Sequence, residues 1–288
     1  PPLLLPRRVF ANDPVRISRY YGIAKERAQI CLYGVDDEYL SHFLARGDFL
    51  YTPGGMKCLE YNVSANLGGW EIPIWEERFL QVPYITEFIK TNQIKIVNEN
   101  LIAHLFRHMI NLTMEAFPHE EEINIALAIR RQDALSGLID MQTYFHRVYL
   151  DCIGQKKGLK GTVIFCRYDQ LKVKAGDVYY EDKKVQTILD YYLGEVPLEL
   201  VAMFKMRKVL IYDGPAAVLF SNKLNLALLS ELEETELFTA GERETIKKYL
   251  PWTRKMHPGT TTYEGAEIRL EDFVLTHREK LVLKPSMG

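Results

Sequence analysis

The sequence predicts a mixed α/β fold, α+β in character, and three stretches of the chain carry this prediction. Two β-patterned runs joined by Pro53-Gly54-Gly55 predict a hairpin early in the chain. Residues 97–117 repeat apolar side chains at the spacing of an amphipathic helix. Strand patterns at 123–129 and 162–166 flank a helical pattern at about 134–152, an order typical of parallel strands with a crossover helix.

The length and composition are those of an ordinary globular protein. The chain has 288 residues, of which 47% are hydrophobic and 26% charged, and its formal net charge is −2. Such a chain can bury a large core and is expected to divide into two or more lobes. The near-neutral charge argues against a nucleic-acid binder, which is usually strongly basic. No apolar run approaches the roughly 18 residues of a membrane span, so neither a nucleic acid nor a membrane is an expected partner.

The cysteine pattern bears on the compartment. Cys31, Cys58, Cys152 and Cys166 are widely spaced, without a CxxC pair. This spacing favours reduced, buried thiols over a disulfide framework or a zinc site. The opening residues lack the basic start and cleavage site of a signal peptide. We therefore expect a cytoplasmic protein.

Around the predicted hairpin the chain alternates helix and strand signals. Residues 36–44 carry a helical pattern that leads into a first strand at 49–51, and the second strand covers 56–62. Residues 71–75 are apolar, but Pro73 prevents them from forming a central strand because proline cannot donate to the ladder.

The second half of the chain contains further strand signals. A hairpin is expected between 178–180 and 185–188, and a strand at 208–212 ends at a turn. Residues 256–265 have the composition of a loop. The apolar run 281–285 predicts a strand at the end of the chain.

Two helix starts are predicted from capping patterns. Ser221 is expected to cap a helix over 222–229. Thr239 with Glu242 three residues later forms a capping-box pattern, which predicts a helix over 241–250.

Oxygen-bearing side chains at the hairpin form a candidate metal site. Glu60 and Asn62 are two apart on a strand and share a face, and the hairpin folds Asp48 back toward them. Two carboxylates and an amide suit Mg²⁺ and its phosphate ligands. Arg46 shares the strand face of Asp48, where it could stabilise negative charge beside the metal. The alternative interpretation is an ordinary hairpin with exposed polar residues.

Two lysines further along the chain are candidates for phosphate contacts. Lys284 ends an apolar run and precedes the small residues 285–288, whose amides could cradle phosphates. Lys223 stands in the segment Ser221-Asn222-Lys223 at a predicted helix start, where an anion is favoured. Alternatively, Lys284 is a solvated lysine at a strand end, and residues 221–223 begin a capped surface helix.

Taken together, these motifs resemble the circularly permuted ATP-grasp proteins, the group typified by the synthetase half of glutathionylspermidine synthetase. The matching motifs are, in chain order, Arg46-x-Asp48, Glu60-Tyr61-Asn62, Ser221-Asn222-Lys223, Pro251-Trp252-Thr253 and Lys284-Pro285. The metal motif precedes the lysines, which is the order expected after permutation. The resemblance spans residues 46–288 and implies a permuted ATP-grasp fold.

The resemblance also implies a set of roles, with ATP and Mg²⁺ as cofactors. Asp48, Glu60 and Asn62 would hold Mg²⁺, Arg46 would be the catalytic charge stabiliser, and Lys223, Lys284, Ser286 and Gly288 would bind the nucleotide. The implied reaction joins a small-molecule or peptide carboxylate to an amine through an acyl phosphate. A phosphotransferase on the same scaffold and a non-catalytic binding module are the alternatives. The sequence does not indicate an oligomeric state.

One departure from the family concerns the substrate. The glutathionylspermidine branch continues E-Y-N with A-D-T-P, whereas this chain continues with Val63-Ser64-Ala65-Asn66. The difference argues against glutathione as the substrate. Ser64 and Asn66 are expected to contact the carboxylate substrate that replaces it.

The resemblance suggests a division into three parts. Residues 1–118 would carry the metal hairpin and a helical segment, 119–220 an α/β substrate-side lobe, and 221–288 the start of the ATP-binding lobe. The rest of the glycine-rich loop and the adenine pocket are expected to follow Gly288, so the chain is expected to be incomplete.

Overall fold

The computed structural model describes residues 2–35, 43–63, 69, 72–129, 139–191 and 196–286. The chain forms two compact units: Pro1–Ser64 together with Pro215–Gly288, and Ala65–Gly214. This division does not follow the predicted boundaries after 118 and 220. Residues 65–118 group with the middle of the chain, and the N-terminal residues group with its end because their helices share one hydrophobic core.

The elements of the described residues are as follows. The helices are α1 (Leu5–Phe10), α2 (Pro14–Tyr21), α3 (Lys25–Cys31), α4 (Ile72–Leu80), α5 (Pro83–Thr91), α6 (Leu101–Ala116), α7 (Ile139–Gly154), α8 (Leu198–Lys205), α9 (Ala217–Phe220), α10 (Leu224–Glu231), α11 (Ala240–Tyr249) and α12 (Leu270–His277). The strands are β1 (Ala45–Thr52), β2 (Gly55–Val63), β3 (Glu122–Ala128), β4 (Lys160–Cys166), β5 (Leu171–Lys174), β6 (Asp177–Tyr180), β7 (Lys183–Lys184), β8 (Thr187–Asp190), β9 (Leu210–Tyr212), β10 (Thr260–Tyr263) and β11 (Ala266–Arg269).

The first unit is built on short N-terminal helices that the sequence reading did not predict. In α2, the Asp13 carboxylate accepts a hydrogen bond from the Val15 amide at 2.7 Å, and Pro14 occupies the first helical position. Ile17 and Tyr21 are four apart and face inward together. The core of the unit includes Leu5, Phe10, Ile17, Tyr21, Leu226, Leu229, Phe238 and Ile246.

The second unit contains a four-stranded parallel sheet in the order β4-β3-β8-β9. The predicted parallel pair of β3 and β4 is confirmed, and so are the helices α6 and α7 that match 97–117 and 134–152. Residues 134–138 of the latter range lie outside the described residues. The rings of Phe106, Phe145 and Tyr149 meet edge to face between α6 and α7.

One predicted hairpin of the second unit is confirmed next to its turn, where β6 pairs with β7 and the Val185 amide donates to the Val178 carbonyl at 2.8 Å, but its second strand does not continue to 188. Residues 187–190 form β8, which pairs in parallel with β3 and β9 instead of folding back on β6. Thr187, Ile188 and Leu189 are all buried, as expected for a strand covered on both faces. The partners of β6 are β5 and β7. The prediction that 71–75 is not a central strand is confirmed for the described residues 72–75, which belong to helix α4 with Pro73 in its first turn.

Near the C-terminus several predictions need correction. Ser221 does not cap α10; it ends α9, and its hydroxyl donates to the Ala217 carbonyl at 2.7 Å. The N-cap position of α10 is Lys223, whose side chain makes no capping hydrogen bond, and the Asn222 side-chain oxygen accepts from the Leu224 amide at 3.0 Å. The predicted loop 256–265 contains strand β10, which pairs with β11. Helix α12 was not predicted.

Two further predictions concern chain segments near element ends. The run 281–285 forms no strand within the part of the chain that the structure describes. The helix expected over 36–44 falls mainly on 36–42, outside the described residues, and Phe43 and Leu44 are not helical. The capping box of α11 is confirmed by both of its hydrogen bonds, between Thr239 and Glu242.

The thiols and the helices bear on the chemistry and the environment of the chain. Cys31, Cys152 and Cys166 are buried thiols, and Cys58 is half-buried. None of the helices in the described ranges combines the length and the apolar character required to cross a membrane.

Candidate functional site

Four of the predicted site residues lie together on one face of the β1–β2 hairpin. In the register of the two strands, Arg46 is opposite Asn62 and Asp48 is opposite Glu60. Directly opposite residues of an antiparallel pair share a face, and so do residues two apart along a strand. The hairpin therefore brings the R-x-D and E-Y-N motifs together.

The opposite face of β2 packs against other residues of the first unit, to which β2 itself belongs. Tyr61 and Val63 alternate with Glu60 and Asn62, so they point the other way. Val63 joins Phe220 of α9 in a small buried cluster, against which Tyr61 also packs. Because α9 packs against β2, the residues that follow α9 come within reach of the hairpin.

A β-bulge interrupts β2 within the site. Leu59 has no partner on β1, since the pairing steps from Cys58 directly to Glu60. A bulge leaves one residue out of the ladder and changes the direction of its neighbours. The Leu59 carbonyl accepts a hydrogen bond from the Lys284 ammonium at 3.2 Å. The irregular strand therefore provides an acceptor for a lysine that is far away in the sequence.

Both lysines of the predicted phosphate site meet at Glu60. Lys223 Nζ lies 3.3 Å from Glu60 Oε1. Lys284 Nζ lies 3.4 Å from Glu60 Oε2. The Lys223 and Glu60 side chains are only 19% and 23% exposed, so this pair is better shielded from solvent than an ordinary surface ion pair.

The segment that carries Lys284 is also tied to Lys223 through its backbone. The Lys223 amide donates to the Ser286 carbonyl at 3.0 Å. Ser286 thus lies at the site and offers a carbonyl to the other lysine. Gly288, Ser64 and Asn66, which were predicted to bind nucleotide or substrate, lie outside the described residues.

Asp48 accepts hydrogen bonds from Arg46 and Asn62, which lie on the same face of the hairpin. Arg46 Nε donates to Asp48 Oδ1 at 3.0 Å, and Asn62 Nδ2 donates to Asp48 Oδ2 at 3.4 Å. The Arg46 and Asp48 side chains are 48% and 44% exposed. An ion pair so open to water contributes little to stability. Its partners can therefore be exchanged at small cost.

The bulge and Cys58 are features of the site that sequence reasoning missed. Leu59 fits the strand pattern of its neighbours, so no local signal reveals the bulge. Burial raises the pKa of the Cys58 thiol, against smaller opposing effects of a backbone hydrogen bond at Glu60 and of the Lys284 charge. A thiol with a raised pKa is a poor nucleophile. The site therefore offers cations, carboxylates and an amide rather than a reactive thiolate.

The donor set was tested against Mg²⁺. No group of three or more His, Cys, Asp or Glu side chains within the described ranges is placed to hold a metal ion. Asp48 and Glu60 with the amide of Asn62 provide two carboxylates and one neutral oxygen. Magnesium at nucleotide sites is usually held by one or two carboxylates together with substrate phosphates and waters. The set fits Mg²⁺ bound together with phosphate oxygens, and it does not form a complete protein cage.

Comparisons with known proteins find similarity to solved structures. No family model matches the chain, and no curated protein matches it. The fold is similar to the solved apo structure of a glutathione synthetase-like effector from Globodera pallida, with a TM-score of 0.52 and 15% sequence identity. The match covers 90% of this chain, but the chain spans only 66% of the length of that neighbour.

The likeness supports the fold at a coarse level. At 15% identity this likeness shows similarity of fold alone, and the resemblance to the ATP-grasp proteins stays a prediction. The predicted mixed α/β class is confirmed. The permuted order and the glutathionylspermidine branch remain predictions.

Proposed function

We propose that this protein is an ATP-dependent carboxylate–amine ligase that forms an amide or peptide bond through an acyl phosphate. The carrying observation is the convergence at Glu60 of Lys223 and Lys284, beside the Arg46–Asp48 pair. These residues come from three distant stretches of the chain. Cations and carboxylates in this arrangement suit phosphoryl transfer, in which positioning and charge stabilisation supply most of the catalysis.

Each side chain has a role in this proposal. Lys223 and Lys284 bind phosphate oxygens of ATP as compact positive charges. Asp48, Glu60 and Asn62 hold Mg²⁺, which would neutralise the charge that develops on the transferred phosphoryl group. Arg46 stabilises the negative charge at the reacting acyl phosphate with its guanidinium. Such a reaction needs no protein nucleophile.

The substrates are proposed by class. A carboxylate of a small molecule or peptide receives the phosphoryl group, and an amine then displaces phosphate. Ser64 and Asn66 directly follow β2 in the sequence, and we assign them to contacts with the carboxylate substrate.

The test measures the release of ADP and phosphate in a screen of carboxylates, with and without added amines. Turnover that requires both a carboxylate and an amine supports the ligase. ADP release with an accumulating phosphorylated product and no need for an amine indicates a phosphotransferase. Nucleotide binding without turnover in any combination indicates a non-catalytic module, an outcome consistent with the neighbour being described as an effector.

A further inference from the structure

The charged side chains of the site form ion pairs and hydrogen bonds with one another. Each oxygen of Glu60 has its own lysine, with Lys223 at Oε1 and Lys284 at Oε2. Both oxygens of Asp48 also accept hydrogen bonds, from Arg46 and from Asn62. All four carboxylate oxygens of Asp48 and Glu60 are therefore engaged by donors of the protein itself.

This arrangement penalises the binding of either ligand alone. A divalent cation that approaches Glu60 must displace two ammonium groups, and it then faces their unneutralised charges at close range. A polyphosphate that arrives without a cation must take the lysines away from Glu60. It then leaves a half-buried carboxylate without a counter-ion, which is also unfavourable.

When both ligands arrive together, the partners can be exchanged. The lysines move from Glu60 to phosphate oxygens, and the carboxylate becomes available to the cation, so no charge is left uncompensated. The Leu59 carbonyl assists this exchange, because it holds the Lys284 ammonium at the edge of β2 while the other donors of that group turn to a phosphate.

We propose that Glu60 acts as a charge-exchange switch that makes divalent-cation binding and polyphosphate binding depend on each other. The inference rests on the proposed function, since it assumes that a nucleoside triphosphate binds at these lysines. By thermodynamic linkage, the factor by which the polyphosphate tightens cation binding equals the factor by which the cation tightens polyphosphate binding.

The test uses Mn²⁺ as a spectroscopic probe and a non-hydrolysable ATP analogue. Free Mn²⁺ is measured by electron paramagnetic resonance, and the binding of the analogue is measured by calorimetry with and without Mn²⁺. We expect the analogue to tighten Mn²⁺ binding to the protein by about 5- to 150-fold, the usual range of such coupling. The analogue's own affinity for Mn²⁺ is measured separately and subtracted.

The lysine variants should raise the affinity for Mn²⁺ alone, and the glutamate variant should raise the affinity for the ATP analogue alone. Lys284→Ala and Lys223→Ala should each bind Mn²⁺ alone more tightly than the unaltered protein and show weaker coupling. Glu60→Gln should bind the analogue more tightly in the presence of EDTA, because its lysines are released, and should lose the dependence on Mn²⁺. Lys157→Ala and Glu267→Gln, charge-matched changes at exposed residues elsewhere, should behave as the unaltered protein does.

The outcomes separate this inference from the proposed function. Equal Mn²⁺ affinity with and without the analogue, while the analogue still binds, overturns the switch and leaves the ligase proposal standing. Absence of analogue binding under all conditions overturns both. Coupling with the expected changes in the variants supports the switch even if no carboxylate–amine pair is turned over. Thermal unfolding of each variant shows whether a lost affinity comes from a lost fold.

Discussion

At the scale of single residues, the first unit is held partly by a charge pair that is not part of the candidate site. Arg8 Nη1 lies 2.8 Å from Glu242 Oε2 and 3.0 Å from Glu242 Oε1. Glu242 also accepts the Thr239 amide at the start of α11. The hydrogen bond from Arg8 is the main cause that lowers the pKa of Glu242 to about 2, and the Thr239 amide adds to it. One carboxylate thus joins helix α1, near the start of the chain, to helix α11, more than 200 residues later.

The lowered pKa predicts how Glu242→Gln will depend on pH. An unfolded glutamate has a pKa of about 4.3, so in the range from about 4.3 down to about 2 the unfolded state binds the proton more readily. The stability contributed by Glu242 is therefore present above this range and is lost as the pH falls through it. Urea unfolding at pH 7, 5 and 3.5 should show that the variant has a lower free energy of unfolding than the unaltered protein. This difference in free energy should be smaller at pH 3.5 than at pH 7. A difference in unfolding free energy that does not change with pH would contradict the lowered pKa of Glu242. Glu267→Gln is the control.

Glu60→Gln is predicted to separate function from stability. The amide keeps the size of the side chain but cannot serve as the anionic ligand of Mg²⁺ or as the counter-ion of two lysines. Since loss of groups that merely support a metal ligand costs about 10- to 100-fold, loss of the ligand itself should reduce ATP-dependent turnover by more than about 100-fold. The melting temperature should change little. Undiminished turnover in this variant would remove Glu60 from the site.

At the scale of elements, sequence patterns predicted correctly the structures that depend on residues close together in the chain. The turn Pro53-Gly54-Gly55 and the alternation around it predicted the hairpin and its charged face, because both depend on neighbours in the sequence. The strand expected at 281–285 did not form, although its residues have strand propensity, because strand pairing requires a partner in space. Residues 187–190 joined the parallel sheet for the related reason that long-range pairing outweighed a nearby hairpin.

Gly161 in β4 allows the close approach of β3, and this gives a prediction for the sheet. Its φ is +147°, and a Cβ added there would lie 1.7 Å from the Ile123 carbonyl oxygen. Gly161→Ala should therefore push the two strands apart and destabilise the protein by about 2–4 kcal/mol. Urea unfolding measures this difference. Gly154→Ala, at the end of α7 where an added Cβ meets nothing within 4 Å, is the control and should be neutral or slightly stabilising. Equal behaviour of the two variants would contradict the close approach.

At the scale of the whole molecule, the candidate site depends on packing between distant parts of the chain. Glu60, Lys223 and Lys284 meet because β2, α9 and the segment around Ser286 belong to one compact unit. No local pattern specifies that proximity, and only the resemblance to a family linked these motifs before the structure did. The division at residue 64 was also beyond local reasoning, since it depends on the cores that the helices share.

The two units predict different behaviour of chain fragments. Residues 65–214 are continuous and have their own core around Phe106 and Tyr149, and a segment of about 150 residues can bury enough surface to fold alone. The other unit combines two segments, 1–64 and 215–288, that share one core.

We expect the 65–214 fragment to unfold cooperatively in urea, and we expect 1–64 and 215–288 to gain structure by circular dichroism only when they are mixed. Trp75 and Phe79 are exposed, so the measurements need low concentrations and a check of the monomeric state. A folded 1–64 fragment, or a 65–214 fragment without cooperative unfolding, would contradict the division. If the mixed segments also recover the Mn²⁺-dependent binding of the ATP analogue, the site lies wholly within the first unit. This follows because Arg46, Asp48, Glu60, Lys223 and Lys284 are all supplied by those two segments.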